Sequence, residues 1–146
     1  MKIFNTIDIS ATGMTAERTR MEIISKNIAN ASVTRTSGGT PYRRQMVVFK
    51  QNEATPFSNC LSKYSNKLLN AKGVKISAII EDKTPFKQIY EPGHPDSDSN
   101  GYVQMPNVDI TTEMVDMISA TRAYEANMSA ISSAKNMAMK ALEIGR

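Results

Sequence analysis

A proline inside an α-helix removes a hydrogen bond and clashes with the preceding turn, so the positions of the prolines bound where long helices can form. All six prolines of this 146-residue chain lie between Pro41 and Pro106, which leaves a proline-free segment at each end. In the C-terminal segment Ile110, Met114, Met117, Thr121, Tyr124, Met128, Ile131, Lys135, Ala138 and Leu142 step alternately by four and three. That is a 3.5-residue period, and it predicts a long helix with a partner along its length. Near the N-terminus Ile7, Met14, Met21 and Ile28 fall seven apart, with Ile3 and Ile24 widening the same face. The expected fold is α+β: long terminal helices pairing as a coiled coil around a small β-rich middle. The expected division is an arm over 1–35, a middle over 36–108 with a loop insert at 51–72, and an arm over 109–146.

The first helix is expected to start near Asp8 or Ser10, either of which can cap free N–H groups, and to run to about Asn30. Gly13 inside it marks either a flexible start or a close approach by another backbone. The second helix is expected to be capped by Asn107 or Asp109 and to end before Gly145. Glu113 and Asp116 sit near the positive end of its dipole and Lys140 near the negative end. Val115, Ile118 and a series of alanines widen its apolar face, so that several neighbours can be contacted. Eight of the ten methionines lie in the two arms, where a flexible thioether can fit nonidentical neighbours.

Between the arms the period becomes two-fold. Residues 44–49 and 74–80 alternate as strands do, and shorter runs at 86–90 and 102–105 add two more, predicting a small antiparallel set of hairpins. The insert is rich in Asn, Ser and Lys and is expected to be a long loop.

Several function classes are excluded or unsupported. The single cysteine, Cys60, cannot form an intrachain disulfide and is expected to be a small loop residue. No run of apolar residues is long enough for a membrane span. Asn5, Thr6, Asp8, Ser10 and Thr12 interrupt any apolar core of a cleavable secretory signal. The net charge of +4 is spread along the chain and not gathered into a stripe, which argues against nucleic acid. Arg43 and Arg44 are expected to be a solvated strand end. Asp96, Asp98, Asn100 and Gly101 imitate the first half of a calcium loop, but the twelfth position is Asn107 instead of the required glutamate. The expected role of this stretch is a polar turn. His94 stands between Gly93 and Pro95 with no second ligand, and no phosphate loop, nucleophile elbow or zinc helix motif is present. No catalytic residue, cofactor, metal or small-molecule substrate is expected.

Three stretches resemble the rod and hook proteins of the bacterial flagellum. Residues 10–18 and 24–31, SATGMTAER and ISKNIANA, look like the N-terminal signature of that axial family. Residues 91–103, EPGHPDSDSNGYV, with Pro106, Asn107 and Val108, resemble the segment that marks its proximal-rod branch. Residues 113–118 and 122–127, EMVDMI and RAYEAN, complete the likeness. The resemblance implies a structural subunit of the flagellar basal body, exported by the flagellar type III apparatus without signal cleavage and assembled in the periplasmic space as a hollow, torque-bearing shaft. Implied partners are further copies of the chain, rod proteins of the FlgB, FlgF and FlgG types, a membrane-ring adaptor of the FliE type and the export apparatus. The residues expected to carry helix packing are Ile7, Met14, Met21, Ile24, Ile28, Ile110, Met114, Met117, Tyr124, Met128, Ile131 and Leu142. The family-motif turn is expected at Gly93, His94, Pro95, Asp96, Asn100, Gly101 and Tyr102. The alternatives are an oligomeric coiled-coil adaptor, another axial flagellar protein, or a basic nucleic-acid-binding module.

Overall fold

The computed structural model describes residues 2–52 and 73–144. The element order is helix α1 (Lys2–Ala29), strands β1 (Gln45–Gln51), β2 (Val74–Glu81), β3 (Lys87–Tyr90) and β4 (Tyr102–Met105), and helix α2 (Ile110–Ile144). This is the expected α+β arrangement, with two long terminal helices and a small β middle. Cys60 and most of the 51–72 insert lie outside the described residues, although Gln51 closes β1 and the Asn52 N–H donates to Gly73 O at 2.7 Å.

α1 begins at Lys2, well before the expected caps. Ser10 is buried within it at 7% exposure, and so is a packing residue and not an N-cap. The hydroxyls of Thr12 and Thr15 donate to Ile9 O and Ala11 O in the preceding turn, which satisfies them without breaking the helix. The end is where the polar sequence placed it: Asn30 donates from both its backbone and its side chain to Lys26 O. For α2 the cap is Asp109, whose carboxylate accepts from the Thr111 N–H and the Thr112 hydroxyl. Asn107, the other expected cap, is used elsewhere. At 35 residues and 1.5 Å per residue, α2 is about 52 Å long.

The strands form two two-stranded ribbons, β1 with β2 and β3 with β4. β3 and β4 are antiparallel, with Lys87 opposite Met105 and Tyr90 opposite Tyr102. The chain divides into two compact units. One comprises Met1–Arg18, Phe49–Ser77 and Thr121–Arg146; in it Val74 N–H donates to the Thr12 hydroxyl and Gly13 faces Asn127. The other comprises Thr19–Val48 and Ala78–Ala120 and holds most of the core: Ile24, Tyr42, Val103, Val108 and Ala120, with the fully buried Asn27, Pro106 and Glu113.

Candidate assembly interface

The second unit is organised around a buried polar knot. Asn27 of α1 is 1% exposed and uses its whole hydrogen-bonding capacity. Its Nδ2 donates to Glu113 Oε2 and to Gln45 O, both at 2.9 Å. Its Oδ1 accepts from the Tyr42 hydroxyl at 2.9 Å and from Gln45 N–H at 3.0 Å. Glu113 of α2, also 1% exposed, takes Arg44 Nε on its other oxygen at 2.6 Å. Arg44 continues through Nη2 to Asp116 Oδ2 at 3.3 Å, and Asp116 meets Arg20 of α1 at 3.5 Å. The Arg44 N–H donates to Asn107 Oδ1, and Asn107 Nδ2 donates to Asp82 O and to the Thr84 hydroxyl. One connected set of side chains therefore ties α1, the start of β1, the end of β2 and the first turn of α2.

This overturns the expectation of a solvated Arg43-Arg44 pair. Arg44 is only 22% exposed, and Arg43 lies 4.3 Å over the Phe86 ring while donating to Asp82 O. It also changes the role of Glu113, which is first a buried acceptor for two elements and only second a dipole partner. The signal in the sequence was an asparagine and a glutamate at helical positions inside otherwise apolar periodicity. Burial, followed by the nearby Glu113 and Glu81 carboxylates, holds the Tyr42 phenol above its ordinary value of 10.0. Asp82 is held below the ordinary carboxylate value, chiefly by the Thr84 N–H, with Arg44 and Arg43 adding to it.

The residues expected to carry helix packing separate into two sets. On α2 Glu113, Ala120 and Ala134 are buried and Asp116, Met117, Thr121, Ala123, Tyr124, Asn127, Ile131 and Ala138 are half-buried; Glu113, Met117, Ala120, Tyr124, Asn127, Ile131, Ala134 and Ala138 of these again step by four and three. One column of the expected stripe, Met117, Tyr124 and Ile131, is therefore on the sheltered side. The other column is displaced by one residue: Glu113, Asn127 and Ala134 are sheltered in the places expected for Met114, Met128 and Lys135, and Ala120 is buried beside a half-buried Thr121. Ile110, Met114, Met128 and Leu142 point outward, at 48%, 57%, 51% and 74% exposure. On α1, Ile24 is buried and Ile7, Met14, Met21 and Ile28 are half-buried. Gly13 and Asn27, which the apolar stripe does not include, also meet α2, at Asn127 and Glu113. A Cβ on Gly13 would lie 3.1 Å from the Asn127 amide, so of the two readings of this glycine, close approach is the one observed, by a side chain and not by backbone.

Among the described residues few apolar side chains are buried and many large ones are exposed. Ile110, Met114, Val115 and Ile118 make an outward patch on α2, and Val48, Ile79, Ile80 and Ile89 are exposed on the strands. Large apolar side chains exposed in such number are what an interaction surface carries.

The expected motif turn is the loop joining β3 to β4. Gly101 has φ +78°, and a Cβ there would meet the Tyr90 ring at 2.9 Å, so glycine is required both for conformation and for space. Tyr90 and Tyr102 pack edge to face at 5.3 Å. The loop folds through backbone bonds, His94 N–H to Glu91 O, Ser97 N–H to His94 O and Gly101 N–H to Asp98 O. The Asp96 N–H donates to His94 Nδ1 at 3.1 Å. The Asp96 carboxylate reaches outside the turn: it accepts from the Thr34 hydroxyl at 2.9 Å and lies 3.7 Å from Arg35. Gly93, Pro95 and Asn100 are exposed on the loop. Among the described residues no group of His, Cys, Asp or Glu is disposed to hold a metal ion, and no helix is long and apolar enough to cross a membrane.

Residues 7–35 match the family described as flagella basal body rod protein, and residues 99–144 match the C-terminal family of the flagellar basal body rod FlgEFG proteins. The two matches cover the segments that supply Asn27 and Glu113 to the knot. The chain is 45% identical to the flagellar basal-body rod protein FlgC of Borreliella burgdorferi, over 99% of its own length and 98% of that protein. It is 45% identical to the FlgC protein of Bacillus subtilis and 38% identical to that of Salmonella typhimurium, each over the full length of both chains. Similarity of this depth from end to end, including both segments that meet in the buried knot, means that the chain belongs to the FlgC family of flagellar basal-body rod proteins.

Proposed function

We propose that this chain is a structural subunit of the proximal part of the flagellar rod, assembled through its terminal arms, 1–35 and 109–146, into a helical wall, while the middle, 36–108, makes outer contacts. The observation that carries the reading is the excess of exposed large apolar side chains on α2 and the strands. A lone subunit leaves that area in water, and only neighbours remove it. Contacts related by an operator that does not close generate a helical tube. Such a tube transmits torque through many small interfaces and leaves an axial passage for later subunits. On this reading the partners are further copies of the chain, other rod proteins, a membrane-ring adaptor and the export apparatus. The site of assembly is the periplasmic space, reached without signal cleavage. The work is mechanical, and no group of the chain is assigned to catalysis.

Met128→Asp tests the reading. Met128 is half exposed in the single chain, so the substitution is expected to shift the stability of the isolated protein by no more than about 0.5 kcal/mol. In an assembled wall it places a carboxylate in an apolar seam, where an unpaired charge costs several kcal/mol in every copy. The expected outcome is loss of motility and absence of the variant from purified basal bodies, with Met128→Leu retaining both. Normal swimming by the Met128→Asp strain would show that this face of α2 is not a subunit interface.

A further inference from the structure

The sheltered apolar residues of α2 carry little information about where along its axis the helix should pair. Met117, Tyr124, Ile131 and Ala138 recur every seven residues, and in the adjacent column Ala120 and Ala134 stand two heptads apart with Asn127 between them. On the facing helix Gly13, Arg20 and Asn27 are likewise seven apart. A slip of one heptad would replace one small or apolar neighbour with another at nearly every level. The fully buried exception is the pair Asn27 and Glu113; Asn127 opposite Gly13 and the half-buried Arg20–Asp116 pair are the other polar members of the seam. In the observed register Asn27 makes four hydrogen bonds and Glu113 accepts from both Asn27 and Arg44. A one-heptad slip in the direction that lowers Asn27 along α2 sets it against Ala120 and strands buried donors and acceptors that water cannot reach.

We infer that the Asn27–Glu113–Arg44 cluster is the register pin of the helix pair, and that it serves specificity of alignment more than strength of association. A buried ion pair gives little net stability against apolar groups of the same size, whereas a buried asparagine in a helix seam penalises every other alignment. The pin has a second consequence. Because Asn27 also binds both backbone groups of Gln45, and Arg44 comes from the start of β1, the aligned state of the helices is reached only with that strand in place.

The test uses the full chain with Cys60→Ser and paired cysteines that report alignment. Gly13→Cys with Asn127→Cys reads the observed register, since position 13 already approaches the Asn127 side chain. Gly13→Cys with Ala134→Cys and Gly13→Cys with Ala120→Cys read the two one-heptad slips. With the cluster intact, the first pair is expected to form its disulfide about tenfold or more in excess of either slipped pair. In the triple variant Asn27→Leu, Arg44→Met, Glu113→Leu, the three yields are expected to come within about threefold of one another while helix content by circular dichroism is retained. Exclusive formation of the 13–127 disulfide in the triple variant overturns the proposal. Loss of helix content in that variant overturns it equally, because the cluster would then supply cohesion and not alignment. Poor formation of the 13–127 disulfide with the cluster intact overturns it as well.

Discussion

At the scale of single residues, the side chains that matter most are buried polar ones that cannot be changed one at a time without leaving a partner unsatisfied. Glu113 is buried to 1% and holds Arg44 on one oxygen and Asn27 on the other. Arg44→Met would leave that carboxylate without its counter-charge, and breaking a buried pair from one side costs about 3–5 kcal/mol. Chemical denaturation of the purified chain is expected to show a loss of that order, with Arg44→Lys intermediate because an ammonium keeps the charge and loses the fork. Tyr42 gives a pH dependence of known sign. Its folded-state pKa is raised, by burial first and by Glu113 and Glu81 after it, so its contribution is complete below the ordinary tyrosine value and is lost as pH rises through the higher folded value. Stability of the parent chain is therefore expected to fall more steeply above about pH 10 than that of Tyr42→Phe, as read by melting temperature across the alkaline range. The charged residues of this cluster were visible in the sequence only as a basic pair and two helix-end acids. Nothing in one dimension brings Arg44 to Glu113, 69 positions away.

The elements were legible to the extent that local physics makes them. Proline exclusion and a 3.5-residue period marked both helices, and two-fold alternation marked all four strands to within a residue or two at each end. The helix face was harder to assign. Following the largest apolar residues led to Met114, Met128 and Leu142, yet the sheltered column is the neighbouring one of Glu113, Ala120, Asn127 and Ala134. Closely approaching helices favour small side chains and fully bonded polar ones over bulky thioethers, so within one chain the large apolar residues Met114, Met128 and Leu142 lie on the outward column. The start of α1 was misplaced for a related reason: a serine is a cap when the chain enters a helix there and a small buried residue when it does not. Close approach recurs where α1 meets the start of β2, because a Cβ on Gly73 would collide with the Thr12 side chain. Gly73→Ala is expected to cost about 1–3 kcal/mol, and Thr12→Ala in the same chain to restore part of it, a coupling that a double-mutant cycle in denaturant measures.

At the scale of the whole molecule, the described residues have a modest buried core and expose large apolar side chains on α2 and both ribbons. Sulfate strengthens the burial of such surface by being excluded from it, so the purified chain is expected to self-associate as sulfate rises, by sedimentation velocity at fixed protein concentration. Chloride at equal ionic strength is expected to do much less. A similar response to both salts would assign the association to charge and not to apolar area. At this scale the sequence by itself determined the element types, their order, the antiparallel hairpins and, through its motif segments, the family. Those are properties of short-range periodicity, turn chemistry and local composition, and each is written within a few residues of where it acts. The tertiary structure alone decided which column of α2 is sheltered, that Gly13 makes room for Asn127, that Asp96 reaches back to Thr34, and that Asn27, Tyr42, Arg44 and Glu113 form one buried network. Each of these depends on residues far apart in the chain meeting at hydrogen-bond distance, and the free energy of such a meeting depends on burial, which no stretch of sequence carries on its own.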